Sequence, residues 1–134
     1  YVIVTCPLNE QTRGLLGASE LALMKPQAYL VNAARGGIVD ESALEAALKG
    51  RQIAGAAVDV FATEPVLQHP FFALDNILLA PHAIAWTDEL FQEISLMCCQ
   101  QALALSKGNV PAGLINHEVR EHPKFLEKLK SSHD

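Results

Sequence analysis

The sequence predicts an α/β fold, a parallel sheet with helices on both faces. Short apolar runs at Tyr1–Thr5, Ala28–Ala33, Ile53–Val60 and Ile77–Ala80 alternate with stretches of helical spacing. The runs are apolar at successive positions, as in strands buried on both sides, rather than at every second one. Strand–helix–strand order also needs crossover connections, and right-handed crossovers bring every strand's carboxyl end to one edge.

Taken in order, Tyr1–Thr5 is a strand stopped by Pro7 and the polar stretch Asn9–Thr12. Ser19–Lys25 is a short helix ended by Pro26, which cannot continue it. Ala28–Ala33 is the second strand. It breaks into Asn32, Arg35, Gly36 and Gly37 before Asp40 caps a helix over Glu41–Lys49. That helix has apolar spacing at Leu44, Ala47 and Leu48 and is closed by Gly50. Ile53–Val60 is the third strand, His69–Leu74 one helical turn, and Ile77–Ala80 the fourth strand, ended by Pro81. Thr87 caps a long helix to about Lys107, with Leu90, Ile94, Met97, Gln101 and Leu105 along one stripe. Residues 109–116 read as extended, and Pro123–Lys130 as a last amphipathic turn or two.

Composition narrows the function classes. With 134 residues, half of them hydrophobic and 19% charged, the chain has the size of one domain and can bury a core. A net charge of −5 with scattered basic residues argues against a nucleic-acid binder, whose affinity rests on clustered Lys and Arg. No apolar run approaches the ~20 residues a bilayer crossing needs. Three cysteines, Cys6, Cys98 and Cys99, make no disulfide framework and point to a reduced, cytoplasmic compartment. Cys98 and Cys99 are expected in the core, and Cys6 in packing. His117, Glu118, Glu121 and His122 lack the spacing of a metal site and read as a solvated tail, so no metal is expected.

The chemistry-bearing residues fall at the strand ends. The first strand delivers Cys6-Pro7-Leu8, the second Arg35, the third Asp59 and then Glu64-Pro65, the fourth Pro81-His82. Singly each has a plain reading: a solvated arginine, a turn-capping aspartate, a loop glutamate, a loop histidine. On one edge they suit a definite reaction. A carboxylate beside an imidazole favours its protonated form, which can give a proton to a carbonyl oxygen or take one from an alcohol. An arginine fork suits a substrate carboxylate. Together they describe a 2-oxo acid and its 2-hydroxy acid, with a hydride carrier still needed because no side chain supplies one.

The segments TCPLNEQTRGLLG (5–17), LMKPQAYLVNAARGGIVDESALEAAL (23–48), IAGAAVDVFATEP (53–65) and NILLAPHAIAW (76–86) closely resemble the NAD-dependent D-isomer-specific 2-hydroxyacid dehydrogenases, over essentially the whole chain to Asn116. The resemblance implies that Arg35 binds the substrate carboxylate and carbonyl, His82 is the acid/base and Glu64 its partner. It implies that Asp59 holds the nicotinamide carboxamide and that Cys6, Pro7, Ala33 and Ala34 line an NAD or NADP cofactor. Thr12, Arg35, His82 and Ala85 are expected beside the same cofactor. The fold implied is the second half of a Rossmann-type NAD(P)-binding domain.

Three departures refine this resemblance. Ala83-Ile84-Ala85-Trp86 follows the histidine where the family usually has Ile-Gly-Gly, a form closer to the glyoxylate/hydroxypyruvate reductase-like branch. Having Glu64, and no Gln before His82, argues against formate dehydrogenase. GxGxxG is absent, so residues 1–116 are expected to be the later part of a dinucleotide-binding domain whose phosphate loop lies upstream. Residues 117–134 are expected to be a tail helix returning toward a missing substrate domain. The opening apolar strand without Met reads as the start of a fragment, inactive alone and prone to self-association through a bare strand edge, with a homodimeric parent. The alternative is an NADH-sensing regulator of the same fold, as in the C-terminal-binding co-repressors.

Overall fold

The computed structural model describes residues 1–131. Their elements are β1 (Val2–Val4), α1 (Ala18–Ala22), β2 (Tyr29–Asn32), α2 (Glu41–Lys49), β3 (Gly55–Val58), a 3-10 turn (Pro70–Ala73), β4 (Ile77–Leu79), α3 (Asp88–Ser106), a second 3-10 segment (His117–Glu121) and α4 (Pro123–Ser131). They form two compact units, divided between Ala85 and Trp86.

In the first unit the strands lie in the order β1-β2-β3-β4, all parallel. Consecutive order with right-handed crossovers carries every connection over the same side of the sheet. Within this unit α1 and α2 lie on that side, giving the parallel sheet with helices that the sequence predicts. Val4, Leu30, Ala56 and Val58 from that face join Leu21 of α1 and Leu44, Ala47 and Leu48 of α2 in one core. The opposite face carries the register row Ile3, Val31, Ala57, Leu78, and its two outer members, Ile3 and Leu78, are exposed.

Local chemistry explains the boundaries. The Asp40 carboxylate accepts from Ala43 N at 2.9 Å, capping α2 where the sequence expects it, and the Gly50 N–H closes the last turn on Ala46 O. Gly55 admits a close approach that a side chain would block: a Cβ there would stand 2.8 Å from Asn76 O and against the Tyr29 ring.

The second unit departs from the sequence reading. Thr87 caps α3 through Leu90 N, as expected, but none of the helix's residues is buried. The apolar stripe of Ile94, Met97 and Leu105 is exposed, and so are Cys98 and Cys99, which corrects their placement in a core. The other elements here are short and polar, and give a 19-residue helix little apolar surface to bury against. Residues 109–116 hold a turn at Pro111–Leu114 rather than an extended run, and Gly113 N donates to Gln101 Oε1 at 3.1 Å. A polar residue within the α3 stripe thus serves that loop. In place of one helix over 117–134, the described part of the tail has two helical segments, the 3-10 turn His117–Glu121 and α4. No described helix is long and apolar enough to cross a membrane.

Candidate active site

All strands point one way, so the carboxyl ends of β1 to β4 share an edge, and the loops that follow them build the site. After β2 the chain turns on Asn32, a side chain buried at the strand's tip. Its Nδ2 donates to Arg35 O at 3.1 Å and its Oδ1 accepts from Ala34 N at 3.2 Å, so one amide closes the loop that presents Arg35. The Arg35 side chain is exposed and donates to Ala34 O; among the described residues it has no carboxylate partner.

Gly36 packs where nothing larger fits. A Cβ there would fall 1.9 Å from the Phe61 carbonyl carbon and 2.3 Å from Ala62 N. The arginine turn therefore presses on the peptide that follows β3. From that loop Glu64 reaches back: its Oε1 accepts from Phe61 N at 2.8 Å and its Oε2 lies 2.7 Å from His82 Nδ1. These contacts, the imidazole's first and the Phe61 N–H second, hold the Glu64 carboxyl below its usual value of 4.5, against the opposing charge of Asp59.

His82 stands after β4 with φ at +57°, in the left-handed region that histidine visits more readily than bulkier residues. Asp59 holds it there. His82 N donates to Asp59 O at 2.7 Å, and the Asp59 carboxylate accepts from Ala83 N at 2.8 Å and Ile84 N at 3.1 Å. Because the Asp59 side chain is 5% exposed, this buried charge is matched by two backbone donors. With Nδ1 turned to Glu64, the His82 Nε2 is the nitrogen left for a guest.

Beside this group, at the ends of β1 and β2, is a cavity of about 890 Å³. Cys6, Pro7, Ala33, Ala34 and Arg35 line it, together with Ile3, Val31 and Ile84. Apolar walls fit a flat ring such as the nicotinamide end of a dinucleotide, and the one cation, Arg35, fits an anionic group beside it. The lining includes none of Thr12, Asp59, His82 and Ala85. The Thr12 hydroxyl donates to Pro7 O at 2.6 Å and accepts from Asn9 N, closing its own loop.

The residues at positions 1–83 match the family model of the D-isomer specific 2-hydroxyacid dehydrogenase NAD-binding domain. The chain belongs to this family. It is 47% identical over 114 residues to a glyoxylate reductase of Aeropyrum pernix, covering 84% of this chain and 34% of that protein. Its fold superimposes on the NAD-complexed D-isomer specific 2-hydroxyacid dehydrogenase of Lactobacillus delbrueckii ssp. bulgaricus with a TM-score of 0.77 and 29% identity, over 86% of this chain and 39% of that one. The NADPH-dependent glyoxylate/hydroxypyruvate reductase of Sinorhizobium meliloti, in complex with NADP and malonate, matches with a TM-score of 0.71 and 32% identity, over 76% and 32% of the two chains. The chain spans about a third of the length of the relatives it matches.

Three residues of this region lie outside the set that sequence reasoning selects. Asn32 was visible there only as a break in an apolar run. Glu41 sits at the first position of α2, where an acidic residue ordinarily signals a helix start, and His69 precedes a proline. No spacing in the sequence links them to the loop they meet.

Proposed function

We propose that this chain is the later part of the dinucleotide-binding domain of an NAD(P)-dependent D-2-hydroxyacid dehydrogenase, carrying its acid/base and substrate-clamping residues, and that the whole enzyme interconverts a small 2-oxo acid, glyoxylate or hydroxypyruvate, and its D-2-hydroxy acid. The observation that carries the reading is the 2.7 Å contact between His82 Nδ1 and Glu64 Oε2, on the same edge as the Arg35-lined cavity. A bound nicotinamide supplies the hydride in one direction and accepts it in the other.

Arg35 clamps the substrate carboxylate through its fork of N–H donors and draws the carbonyl into line. In reduction, the His82 imidazolium gives its Nε2 proton to the carbonyl oxygen; in oxidation, neutral His82 takes the hydroxyl proton there. Glu64 accepts from Nδ1 in both states, which fixes the ring and stabilises the cation. Asp59 keeps the 82–84 turn in place through its backbone bonds, and a carboxamide would meet the lone pairs those bonds leave open. Cys6, Pro7, Ala33 and Ala34 face the cofactor, and Thr12 and Ala85 shape the loops that border it.

Turnover of glyoxylate with NADH or NADPH by the full-length protein tests the reading. Saturable turnover is expected. Tight NADH binding without turnover would mark a regulatory protein of this fold instead. Its three free cysteines suit a cytoplasmic enzyme. The 134-residue chain alone is expected to be inactive and to associate through the β1 edge, where Tyr1 and Ile3 are 89% and 62% exposed. A monodisperse monomer in sedimentation at micromolar concentration would contradict that association.

A further inference from the structure

The Glu64–His82 pair is only as well placed as the loop between β3 and the 3-10 turn, and that loop is gripped from outside the pair. Glu41, on the first turn of α2, accepts from Ala62 N at 2.7 Å through Oε1. Its other oxygen lies 3.3 Å from His69 Nε2. His69 Nδ1 in turn accepts from Phe71 N at 3.2 Å, which makes Nε2 the nitrogen that donates to Glu41. The His69 ring also packs 4.3 Å from that of the fully buried Phe71 and 5.4 Å from that of Phe61, centre to centre.

Two successive loop amides are thus taken by two different carboxylates, Phe61 N by Glu64 and Ala62 N by Glu41. The Phe61–Ala62 peptide is also the one that Gly36 presses against. Glu64 and Glu41 therefore hold adjacent peptides, Val60–Phe61 and Phe61–Ala62, and the second of these is the one the Arg35 turn packs on. From this geometry we propose that Glu41, steadied by His69, is a positioning residue for the Glu64–His82 acid/base pair. The proposal rests on the dehydrogenase reading above and adds a residue on α2, which carries none of the reacting groups.

Without Glu41 the Ala62 amide loses its acceptor and the loop loses its register. Glu64 is then held less firmly by both Phe61 N and His82. Its carboxyl returns toward its ordinary value, so the pH range in which the pair works contracts from its acid side. A residue that merely stabilised the fold would lower activity without that contraction.

The test uses the full-length protein and reads kcat/KM for glyoxylate against pH. Glu41→Ala is expected to lower kcat/KM by roughly 10- to 100-fold, as small displacements of catalytic groups do. The acid limb of the profile should move to higher pH, with NADH affinity kept. Glu41→Gln, which retains an acceptor for Ala62 N, should recover most of the loss, and Glu45→Ala on the same helix should leave the profile unchanged. A second readout is independent of turnover: exchange of the Phe61 amide and of the His82 Nδ1 proton, followed by NMR, should speed up by tenfold or more in Glu41→Ala. If that variant does not fold, His69→Gln should show the same contraction and faster exchange to a smaller degree. A reduced rate with an unmoved acid limb and unchanged exchange, or a wild-type profile, overturns the proposal. Failure of the wild-type protein to turn over glyoxylate would overturn the dehydrogenase reading alone, because the exchange measurement still decides the role of Glu41.

Discussion

Two histidine–carboxylate pairs flank one loop of this molecule, and they differ in almost everything except composition. His69 and Glu41 are largely buried, their side chains 15% and 24% exposed, with the ring enclosed by Phe61, Phe71 and Phe72. His82 and Glu64 stand open at 44% and 34%, at the strand edge. In the first pair both ring nitrogens are committed, to a carboxylate and to a backbone amide. In the second, Nδ1 is committed to the carboxylate and no described residue bonds Nε2. On the proposed function, what separates the structural histidine from the proton donor is that second nitrogen, since the carboxylate partner is common to both.

That comparison can be broken by paired substitutions. His82→Ala should lower turnover by roughly 10²- to 10⁴-fold, the range removed with a general acid, while sparing NADH affinity and thermal stability. His69→Ala should do the reverse in emphasis. Loss of a buried ring and of the partner of Glu41 is expected to destabilise the fold by about 1–3 kcal/mol, with a turnover loss nearer tenfold. Equal effects of the two variants on turnover, measured with matched unfolding curves, would erase the distinction.

A smaller effect follows from acid. The Glu64 carboxyl is held below its ordinary value of 4.5, first by His82 and then by Phe61 N–H. A carboxyl lowered in the folded state contributes stability that is present above 4.5 and is lost as pH falls through the folded value. The difference in stability between wild type and Glu64→Gln should therefore shrink below pH 4.5. A difference that stays constant across that range would show that the pair is not coupled to folding.

The same comparison shows what the sequence makes legible. Alternating strand and helix patterns are local signals, and Asp40, Gly50 and Thr87 cap where their chemistry demands. Arg35, Glu64 and His82 are visible because each sits just beyond a strand of a parallel sheet, where topology alone gathers strand ends. Glu41 and His69 lie 28 positions apart, one at a helix start and one before a proline. Their meeting depends on how α2 packs, which no spacing encodes. The α3 stripe errs the other way: its periodicity gives the helix an apolar face but cannot say what covers it, and here that face is exposed.

The central claim is that Glu64 supports His82 in proton transfer at an edge where Arg35 holds the substrate. The most direct measurement is the pH dependence of kcat/KM for glyoxylate in the full-length protein, compared with Glu64→Gln. Gln leaves no carboxyl to titrate beside Nδ1, so the acid limb that Glu64 sets, below 4.5, should disappear, with kcat/KM lowered and KM for NADH unchanged. An acid limb that persists in Glu64→Gln would contradict the account.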